Sequence, residues 1–434
     1  MFFDSTMNGP SQRPSTLEQW LAYQEHLHPH TIDMGLDRVR EVAARMGLTR
    51  PASFVYVIAG TNGKGSTVAF IEAIFRAAGY SVGAYTSPHI RRYNERIRIN
   101  GDEVKDEALC QSFERIENAR AEVSLTYFEF GTLAALDLME RAVLDIAVLE
   151  VGMGGRLDAV NIVDGDVAVV TNIGLDHMQF LGANREAIGA EKAGIYRPGR
   201  PAVCADRSPP ASLARPPNEL LYQLGRDFDF AVENGTWRWR SALGERYTLP
   251  VPHMRGRYQL TNAATALMAV MLAQNALPVS QAHLRRGLRE AFVPGRFEIC
   301  PTVPPTILDV AHNPDGARVL AETLRAQPCL GRTYGIFGVM ADKDIAAMVE
   351  SLRGVIDEWH VCNLAVDRAA SAREVARRIG DLLPDAHIKC HASVAEADSS
   401  IRAVASPSDR IVVFGSFFTV SAWCDSGIMV PNRS

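Results

Sequence analysis

The chain has 434 residues, a formal net charge of −5 and 47% apolar residues, the balance of a globular protein with room for two or three domains. The negative charge argues against general binding to nucleic acid, so an anionic substrate must be met by locally placed cations. No apolar run approaches the roughly 20 residues that span a bilayer. The seven cysteines lack metal-ligand spacing and indicate reduced thiols, and Met1–Ser5 does not resemble the start of a signal peptide, so we expect a cytoplasmic protein without membrane contact.

In chain order, the sequence first predicts helix over the N-terminal ~50 residues and then an alternation of strands and helices. The predicted strands are short apolar runs at 54–59, 81–85, 145–151 and 167–171, and a helix is predicted over 68–78. Continuous apolar strands interleaved with helices indicate an α/β fold with a mostly parallel sheet covered on both faces. Ligands of such sheets gather at the carboxyl ends of the strands, where this chain has polar residues.

The pattern breaks at 294–298, and it begins again with predicted strands at 306–310, 333–338 and 411–415 and a helix over 316–326. We therefore predict two domains. The first, residues 1–293, is a central domain with a phosphate loop, and the second, residues 297–434, is a smaller, Rossmann-like α/β domain. Residues 205–250 mix Pro, Arg and Trp and are predicted to form a β-rich or irregular insertion at the edge of the first domain.

A glycine-rich segment, Gly60–Thr67, lies between the first predicted strand and the helix after it. Its backbone N–H groups and the helix N-terminus can hold phosphate, Lys64 can reach the β- and γ-phosphates, and the Ser66 hydroxyl can face a metal. Gly65 intervenes between Lys64 and Ser66, so the spacing departs from the strict G-x-x-x-x-G-K-[ST] form. A guanine-reading N-K-x-D motif is absent, and Leu157 replaces the third glycine of a dinucleotide fingerprint, so ATP is the favoured nucleotide.

Two further positions are candidates for metal chemistry, and a third is a possible modified lysine. Glu150 ends a predicted buried strand and is a candidate Mg²⁺ ligand, the alternative being a buried carboxylate held by backbone donors of the next glycine-rich loop. His177 follows the next strand beside Asp176, where a metal ligand and a structural histidine are equally reasonable. Lys192 has no evident partner on its helix face and, taken alone, is expected to be solvated.

Several motifs together resemble the Mur ligase superfamily. They are Ala59–Thr67, Thr86–His89, Leu149–Ala159, Thr171–His177, Glu191–Ile195 and Leu308–Pro314. The segments 31–36 and 93–97 are similar to the folate branch of that superfamily, and the match runs from about residue 17 to residue 422. The peptidoglycan branch carries an additional N-terminal domain, and a phosphate loop that begins at residue 60 leaves no room for it.

The resemblance implies site residues in both domains. It implies that the ATP phosphates bind to Asn62, Gly63, Lys64, Gly65 and Ser66, and that Asn262, Arg296 and Asp309 complete the nucleotide site. It implies two Mg²⁺ ions, one bound by Ser87 and Glu150 and one by His177, together with a carbamylated Lys192 (N6-carboxylysine) that helps to organise them. The implied substrate contacts are Thr126, Tyr127, Phe128, Glu129, Leu157, Asp158 and Ala159. The implied catalytic residues are Lys64, Lys192 and His177.

The same resemblance implies an ATP-dependent ligase that joins L-glutamate to dihydropteroate, and to the glutamate tail of tetrahydrofolates, through an acyl phosphate. The second domain would be a glutamate-ligase domain, the substrates would be small molecules, and the expected state is a monomer. A nucleotide-dependent switch and a ligase for a different acceptor are the alternatives. Phe418 stands where the family often has His, and whether His312 contacts glutamate or caps the domain interface stays open.

Overall fold

The chain forms three β-sheets with helices packed around them. The structure, a computed structural model, describes residues 13–214, 220–233 and 236–427, so the prediction for Met1–Ser5 lies outside the described residues. The strands are β1 (Ala52–Ala59), β2 (Val82–Tyr85), β3 (Ile97–Ile99), β4 (Asp102–Glu103), β5 (Leu144–Glu150), β6 (Val167–Val170), β7 (Ala202–Cys204), β8 (Leu221–Gln223), β9 (Phe228–Glu233), β10 (Thr236–Ser241), β11 (Arg246–Pro250), β12 (Glu298–Cys300), β13 (Thr306–Leu308), β14 (Thr333–Phe337), β15 (Glu358–Cys362), β16 (His387–His391) and β17 (Arg410–Phe414). The α-helices are α1 (Leu17–Glu25), α2 (Asp37–Met46), α3 (Lys64–Ala77), α4 (Asp106–Arg120), α5 (Tyr127–Arg141), α6 (Met178–Leu181), α7 (Arg185–Ala193), α8 (Ala211–Ala214), α9 (Arg257–Leu272), α10 (Gln281–Glu290), α11 (Pro314–Arg325), α12 (Ile345–Ser351), α13 (Ala372–Leu382), α14 (Val394–Arg402) and α15 (Phe417–Asp425).

The first sheet has eight strands in the order β4-β3-β2-β5-β1-β6-β7-β8. Strand β1 is central and pairs in parallel with β5 and β6, which places Ile58 beside Glu150 on one side and Val169 on the other. The edge strands β3 and β4 run antiparallel. The carboxyl ends of β1, β5 and β6 therefore meet at one end of the sheet, and the loops that follow these strands are brought together there.

Helices cover both faces of the first sheet because its strands are apolar on both sides. Val57 on β1 faces a core formed with α1, α2, α4 and α5, in which Trp20 packs against Phe113. The next residue, Ile58, faces a second core formed with α3, α9 and α10. Each large apolar side chain buried in this way contributes about 1.5–3 kcal/mol to stability. The position of α3 on one face orients the loop that precedes it.

The second large sheet has six strands in the order β12-β13-β17-β14-β15-β16, with β12 antiparallel to β13 and the other pairs parallel. Helices α11 to α13 pack on one face, and α14 and α15 pack on the other. A small antiparallel sheet, β11-β10-β9, buries Trp237 and Trp239 against the first sheet's second core. The predicted α/β fold with a mostly parallel first sheet is confirmed.

The predicted strands agree with the observed strands to within two residues at either end, but several helices differ. The helix predicted over 68–78 begins four residues earlier, at Lys64, because the turn ends at Gly63. The N-terminal helical region is two helices, α1 and α2, separated by a loop, and α4 and α5 were not predicted. None of the helices within the described residues has the length and apolar character needed to cross a membrane.

Candidate active site

The glycine-rich segment Gly60–Thr67 wraps around the carboxyl end of β1 and leads directly into α3. Gly63 has φ +85° and precedes Lys64, the first residue of that helix. Lys64 Nζ donates to the carbonyl oxygens of Gly60 and Thr61 at 3.1 and 3.3 Å, so its charge lies against the loop. The unpaired N–H groups of the first helical turn and this ammonium group form an anion-binding surface.

Two neighbouring elements hold the loop in place. Asn62 N–H donates to Asn172 Oδ1, after β6, at 2.7 Å. From α9, Gln259 Nε2 donates to Ser66 Oγ at 3.2 Å, and Asn262 Nδ2 donates to Gln259 Oε1 at 3.0 Å. Asn62, Ser66 and Asn262, which were expected to bind the nucleotide, therefore belong to one connected site.

An alanine in place of Gly63 is expected to disturb this site. Its Cβ would lie 2.4 Å from Asn262 Oδ1, and φ would remain at +85°. We expect the KM for ATP to rise by at least about tenfold, the equivalent of 1.4 kcal/mol. The matched control is Gly79→Ala, which has φ +90° and nothing within 4 Å of its Cβ, so it carries the backbone strain without the clash. Equal KM values for the two variants in an ADP-release assay would contradict this prediction.

Glu150, the last residue of β5, lies beneath the loop. It is 4% exposed, and its Oε2 lies 3.4 Å from where a Cβ on Gly65 would be. Its backbone donor is Ser87 N–H, at 3.3 Å, rather than the glycine-rich loop that the structural alternative required. Burial raises the pKa of Glu150, while the charges of Lys64 and Arg296 lower it. The carboxylate is thus surrounded by the groups that would bind phosphate.

These donors fit a metal that is shared with a nucleotide. Mg²⁺ usually takes one or two protein oxygens and completes its shell with phosphate oxygens and water. Within the described residues, no group of three or more His, Cys, Asp or Glu side chains could hold a metal by itself. The Ser87 backbone N–H donates to the Glu150 carboxylate, so the two residues are neighbours, and a carboxylate and a hydroxyl are both oxygen ligands of the type that Mg²⁺ prefers.

Lys192 is 3% exposed, so the expectation of a solvated lysine is wrong. It lies in the last turn of α7, and its Nζ donates to the Gly60 carbonyl oxygen at 3.0 Å. Helix α7 can pack closely against the loop after β5 because Gly155, in that loop, has no side chain. A Cβ on Gly155 would lie 2.7 Å from the Glu191 carbonyl oxygen. Burial and, to a smaller extent, the charge of Lys64 lower the pKa of Lys192 to about 7, while Asp176 and Asp158 oppose that change. A large fraction of this amine is neutral near neutral pH.

The loop after β6 places His177 beside the phosphate loop. His177 has φ +51°, and its backbone N–H donates to the carboxylate of Asp176 at 2.9 Å. Although the residue lies at an exposed position, its pKa is lowered to about 4, mainly by the atoms packed around the ring; the charge of Lys343 also lowers the pKa of His177, and Asp176 opposes the change. The imidazole is neutral at neutral pH, as a metal-binding histidine must be.

Asp176 connects this loop to the second sheet. Its carboxylate accepts hydrogen bonds from Lys343 Nζ at 2.7 Å and Asn313 Nδ2 at 3.0 Å, and His312 Nε2 lies 3.4 Å away. Asn313 also exchanges amide hydrogen bonds with Asn62 of the phosphate loop, at 3.1 and 3.4 Å. Burial raises the pKa of Asp176, but His312, His177 and Lys343 outweigh it and hold the pKa well below its usual range. His312 therefore lies at the contact between the two sheets.

Arg296 and Asp309 approach the site from the second sheet. Asp309 is 7% exposed, and it accepts the backbone N–H groups of Phe297 and Ala311 at 3.0 and 2.9 Å. Burial raises the pKa of Asp309 to about 6, and the charge of Arg296 opposes that change. The Arg296 guanidinium lies 5.3 Å from the ring centroid of Phe417 and is close enough to Glu150 to influence its pKa.

The first set of expected substrate contacts lies at the start of α5. Thr126 Oγ1 accepts the Glu129 backbone N–H at 3.2 Å, and Glu129 Oε2 accepts the Thr126 N–H at 2.8 Å. Glu129 is 3% exposed and pairs with Arg38 at 3.1 Å. The Tyr127 ring packs edge-on against Tyr93, at 5.7 Å. The structure thus gives Thr126 and Glu129 a helix-capping role in addition to any contact with substrate.

The second set follows the glycine-rich loop after β5. Asp158, between Leu157 and Ala159, is 4% exposed and accepts the Met153 and Val160 backbone N–H groups at 2.9 and 3.0 Å. Burial raises the pKa of Asp158 to about 7, against the effect of these donors. The ring of Phe128 occupies the space 2.5 Å from a Cβ on Gly152. Phe128 therefore joins the two sets of expected substrate contacts.

Gln259 and Lys343 were not predicted as site residues, because neither lies in a recognisable motif. Asn313 had a local signal, because an Asn followed by Pro314 is typical of a helix N-cap. Phe418 is 41% exposed and has the guanidinium of Arg368 5.9 Å from its ring centroid.

Comparisons with known proteins identify the family of this chain. Residues 58–207 match the family described as Mur ligase middle domain, and residues 295–417 match Mur ligase, glutamate ligase domain. The dihydrofolate synthase/folylpolyglutamate synthase of Escherichia coli (strain K12) is 45% identical over 413 residues, which cover 94% of this chain and 95% of that protein. A solved structure of E. coli FolC in complex with DHPP and ADP superposes with a TM-score of 0.90 at 44% identity, covering 96% of this chain and 98% of that one. A bifunctional folylpolyglutamate synthase/dihydrofolate synthase with Mn, AMPPNP and L-glutamate bound gives 0.86 at 44% identity, covering 94% and 98%.

The chain has a phosphate loop at the end of a parallel strand, a second sheet that faces this loop, and matches to both Mur ligase domains. These features define a Mur ligase, which is an ATP-dependent amide-bond ligase. The dihydrofolate synthase/folylpolyglutamate synthase of Haemophilus influenzae is 39% identical to this chain, over 94% of this chain and 96% of that protein. The chain belongs to the dihydrofolate synthase/folylpolyglutamate synthase family.

Proposed function

We propose that this chain joins L-glutamate to dihydropteroate, and to the glutamate tail of tetrahydrofolates, with conversion of ATP to ADP and phosphate. The observation that carries the proposal is the convergence of Lys64, Glu150 and Lys192 on one phosphate loop at the end of β1. The relatives that hold DHPP with ADP, and AMPPNP with Mn and L-glutamate, support these substrates.

In this proposal the nucleotide lies between the two sheets. Its phosphates bind to the backbone of Asn62, Gly63, Lys64, Gly65 and Ser66 and to the Lys64 ammonium group. Asn262, Arg296 and Asp309 complete the nucleotide site, the last two from the second sheet. Ser87 and Glu150 would hold one Mg²⁺ and His177 a second, and bound Mg²⁺ would supply positive charge against the phosphates. Thr126–Glu129 and Leu157–Ala159 contact the pterin-bearing substrate.

The reaction proceeds in two steps. The acceptor carboxylate attacks the γ-phosphorus of ATP, the bond to the bridging oxygen breaks, and ADP leaves while Lys64 offsets charge on the transferring group. The amine of L-glutamate then attacks the carbonyl carbon of the acyl phosphate and loses a proton. The tetrahedral intermediate collapses to the amide and releases phosphate. Because an acyl phosphate hydrolyses readily, the two sheets must exclude water while it exists.

We further propose that Lys192 is carbamylated. Only a neutral amine adds CO₂, and the pKa of about 7 leaves a substantial fraction of this buried amine neutral near neutral pH. The modification replaces a cation, placed unfavourably beside Lys64, with an anion that can help to organise bound metal. The same proposal includes a cytoplasmic monomer that acts on small molecules, without nucleic acid or membrane partners.

The direct test measures ADP release with ATP, Mg²⁺ and L-glutamate, using dihydropteroate and tetrahydrofolate as separate acceptors. We expect release with each acceptor and none above background when either the acceptor or glutamate is omitted. Release with one acceptor would restrict the enzyme to that step. Slow hydrolysis that no acceptor stimulates would instead support a nucleotide-dependent switch.

A further inference from the structure

A single carboxylate joins the two sides of the cleft. Asp176 follows β6 in the first sheet, and it accepts hydrogen bonds from Lys343 Nζ at 2.7 Å and Asn313 Nδ2 at 3.0 Å, both in the region of the second sheet. The side chains of Asp176 and Lys343 are only 8% and 11% exposed. Removing one partner of a buried ion pair is costly, because the other charge is left uncompensated. This pair therefore favours the arrangement in which the two sheets are in contact.

The same carboxylate also holds the backbone of the neighbouring histidine. Asp176 Oδ1 accepts both Lys343 Nζ, at 2.7 Å, and the His177 N–H, at 2.9 Å. His177 has φ +51°, a conformation that a residue other than glycine adopts when its surroundings impose it. If the second sheet moved away, Asp176 would lose Lys343 and Asn313, and the turn that aims the imidazole would lose its anchor.

We propose that Lys343 is a positioning residue that couples closure of the two sheets to the placement of His177. Lys343 touches neither substrate nor metal in this role; it acts through Asp176. This inference rests on the proposed function, in which His177 binds a metal. It implies that the metal arrangement is completed only when the second sheet is docked, so that phosphoryl transfer occurs in the water-excluding state.

The test compares Lys343→Met with Lys343→Arg, which keeps a positive charge for Asp176. For Lys343→Met we expect kcat/KM to fall by about 10–100-fold and the Mg²⁺ concentration for half-maximal activity to rise about tenfold, as for loss of a group that orients a metal ligand. Lys343→Arg should retain most of the wild-type kcat/KM and a nearly wild-type Mg²⁺ concentration for half-maximal activity. The matched control is Lys389→Met. Lys389, on β16, also pairs with a largely buried carboxylate, that of Glu358 on β15, at 2.7 Å.

Two measurements separate this inference from the proposed function, because neither requires turnover. They are the affinity of the ADP-bound protein for Mn²⁺ and the radius of gyration of that complex by small-angle X-ray scattering. Lys343→Met should bind Mn²⁺ more weakly and be more expanded than Lys389→Met, while the decrease in Tm from the lost ion pair should be similar in the two variants. Wild-type affinity and dimensions in Lys343→Met would overturn the inference, as would equal changes in Lys389→Met. An inactive wild-type enzyme would refute the proposed function but leave these two comparisons valid.

Discussion

Replacing Lys64 with alanine is expected to lower kcat for acceptor-dependent ADP release by about 10²–10³-fold, the loss that follows removal of one group stabilising transition-state charge. The ammonium group lies on the Gly60 and Thr61 carbonyl oxygens at 3.1 and 3.3 Å, beside the N-terminus of α3. At this position the ammonium group can stabilise the negative charge that develops as the γ-phosphoryl group is transferred. The measurement is a coupled assay of ADP release at saturating ATP, acceptor and L-glutamate.

The matched control for Lys64 is Lys105→Ala. Lys105 is exposed and precedes α4 without a side-chain capping hydrogen bond, so its removal should change neither kcat nor Tm. Near-normal turnover in Lys64→Ala would contradict the role of Lys64 at the phosphates. A similar loss in both lysine variants would point to a general effect of lost positive charge rather than to a specific site.

Replacing Lys192 with alanine is expected to reduce turnover by at least about 100-fold, because the variant lacks the group that we propose organises the bound metal. A small carboxylate such as formate should restore part of the activity by occupying the space left beside Gly60. Lys192 Nζ lies 3.0 Å from the Gly60 carbonyl oxygen, and the residue is 3% exposed, so the truncated side chain would leave a confined space. Rescue is measured as ADP release against formate concentration.

Lys64→Ala serves as the control for rescue, since formate should not replace an ammonium group. Native mass spectrometry of the wild-type protein should show an added mass of one CO₂ that is absent from Lys192→Ala. Full activity of Lys192→Ala without formate, or equal rescue of both variants, would refute carbamylation as the role of Lys192.

The pKa of Lys192 also predicts a pH dependence. Burial lowers the pKa from its ordinary 10.5 to about 7, so protein stripped of CO₂ should regain activity faster above pH 7 than below it when the concentration of dissolved CO₂ is held constant across the pH series. In the unmodified protein, the unfolded chain binds more protons at this side chain than the folded chain does between these two pKa values. The contribution of Lys192 to the free energy of unfolding therefore rises with pH across that window and is most unfavourable below about pH 7.

The amino-acid sequence alone determined the features that depend only on residues close together in the chain. Apolar runs and the glycine-rich turn were enough to predict β1, the phosphate loop and the helix after it, because strand and turn geometry arises from local sterics. The same holds for Glu150, whose place at the end of a buried strand follows from the composition of β5. The start of α3 was misplaced by four residues because a glycine-rich turn does not itself show where the helix begins.

Only the tertiary structure decided what lies opposite these local features. Lys192 is buried because α7 packs against the loop at Gly155, which nothing in its own helix reveals. The contact between Asp176 and Lys343 joins residues 167 positions apart, and the contact between Asn62 and Asn313 joins residues 251 apart. Such pairs depend on how two separately formed sheets pack together. That packing is set by the sum of many buried contacts rather than by any short pattern in the chain.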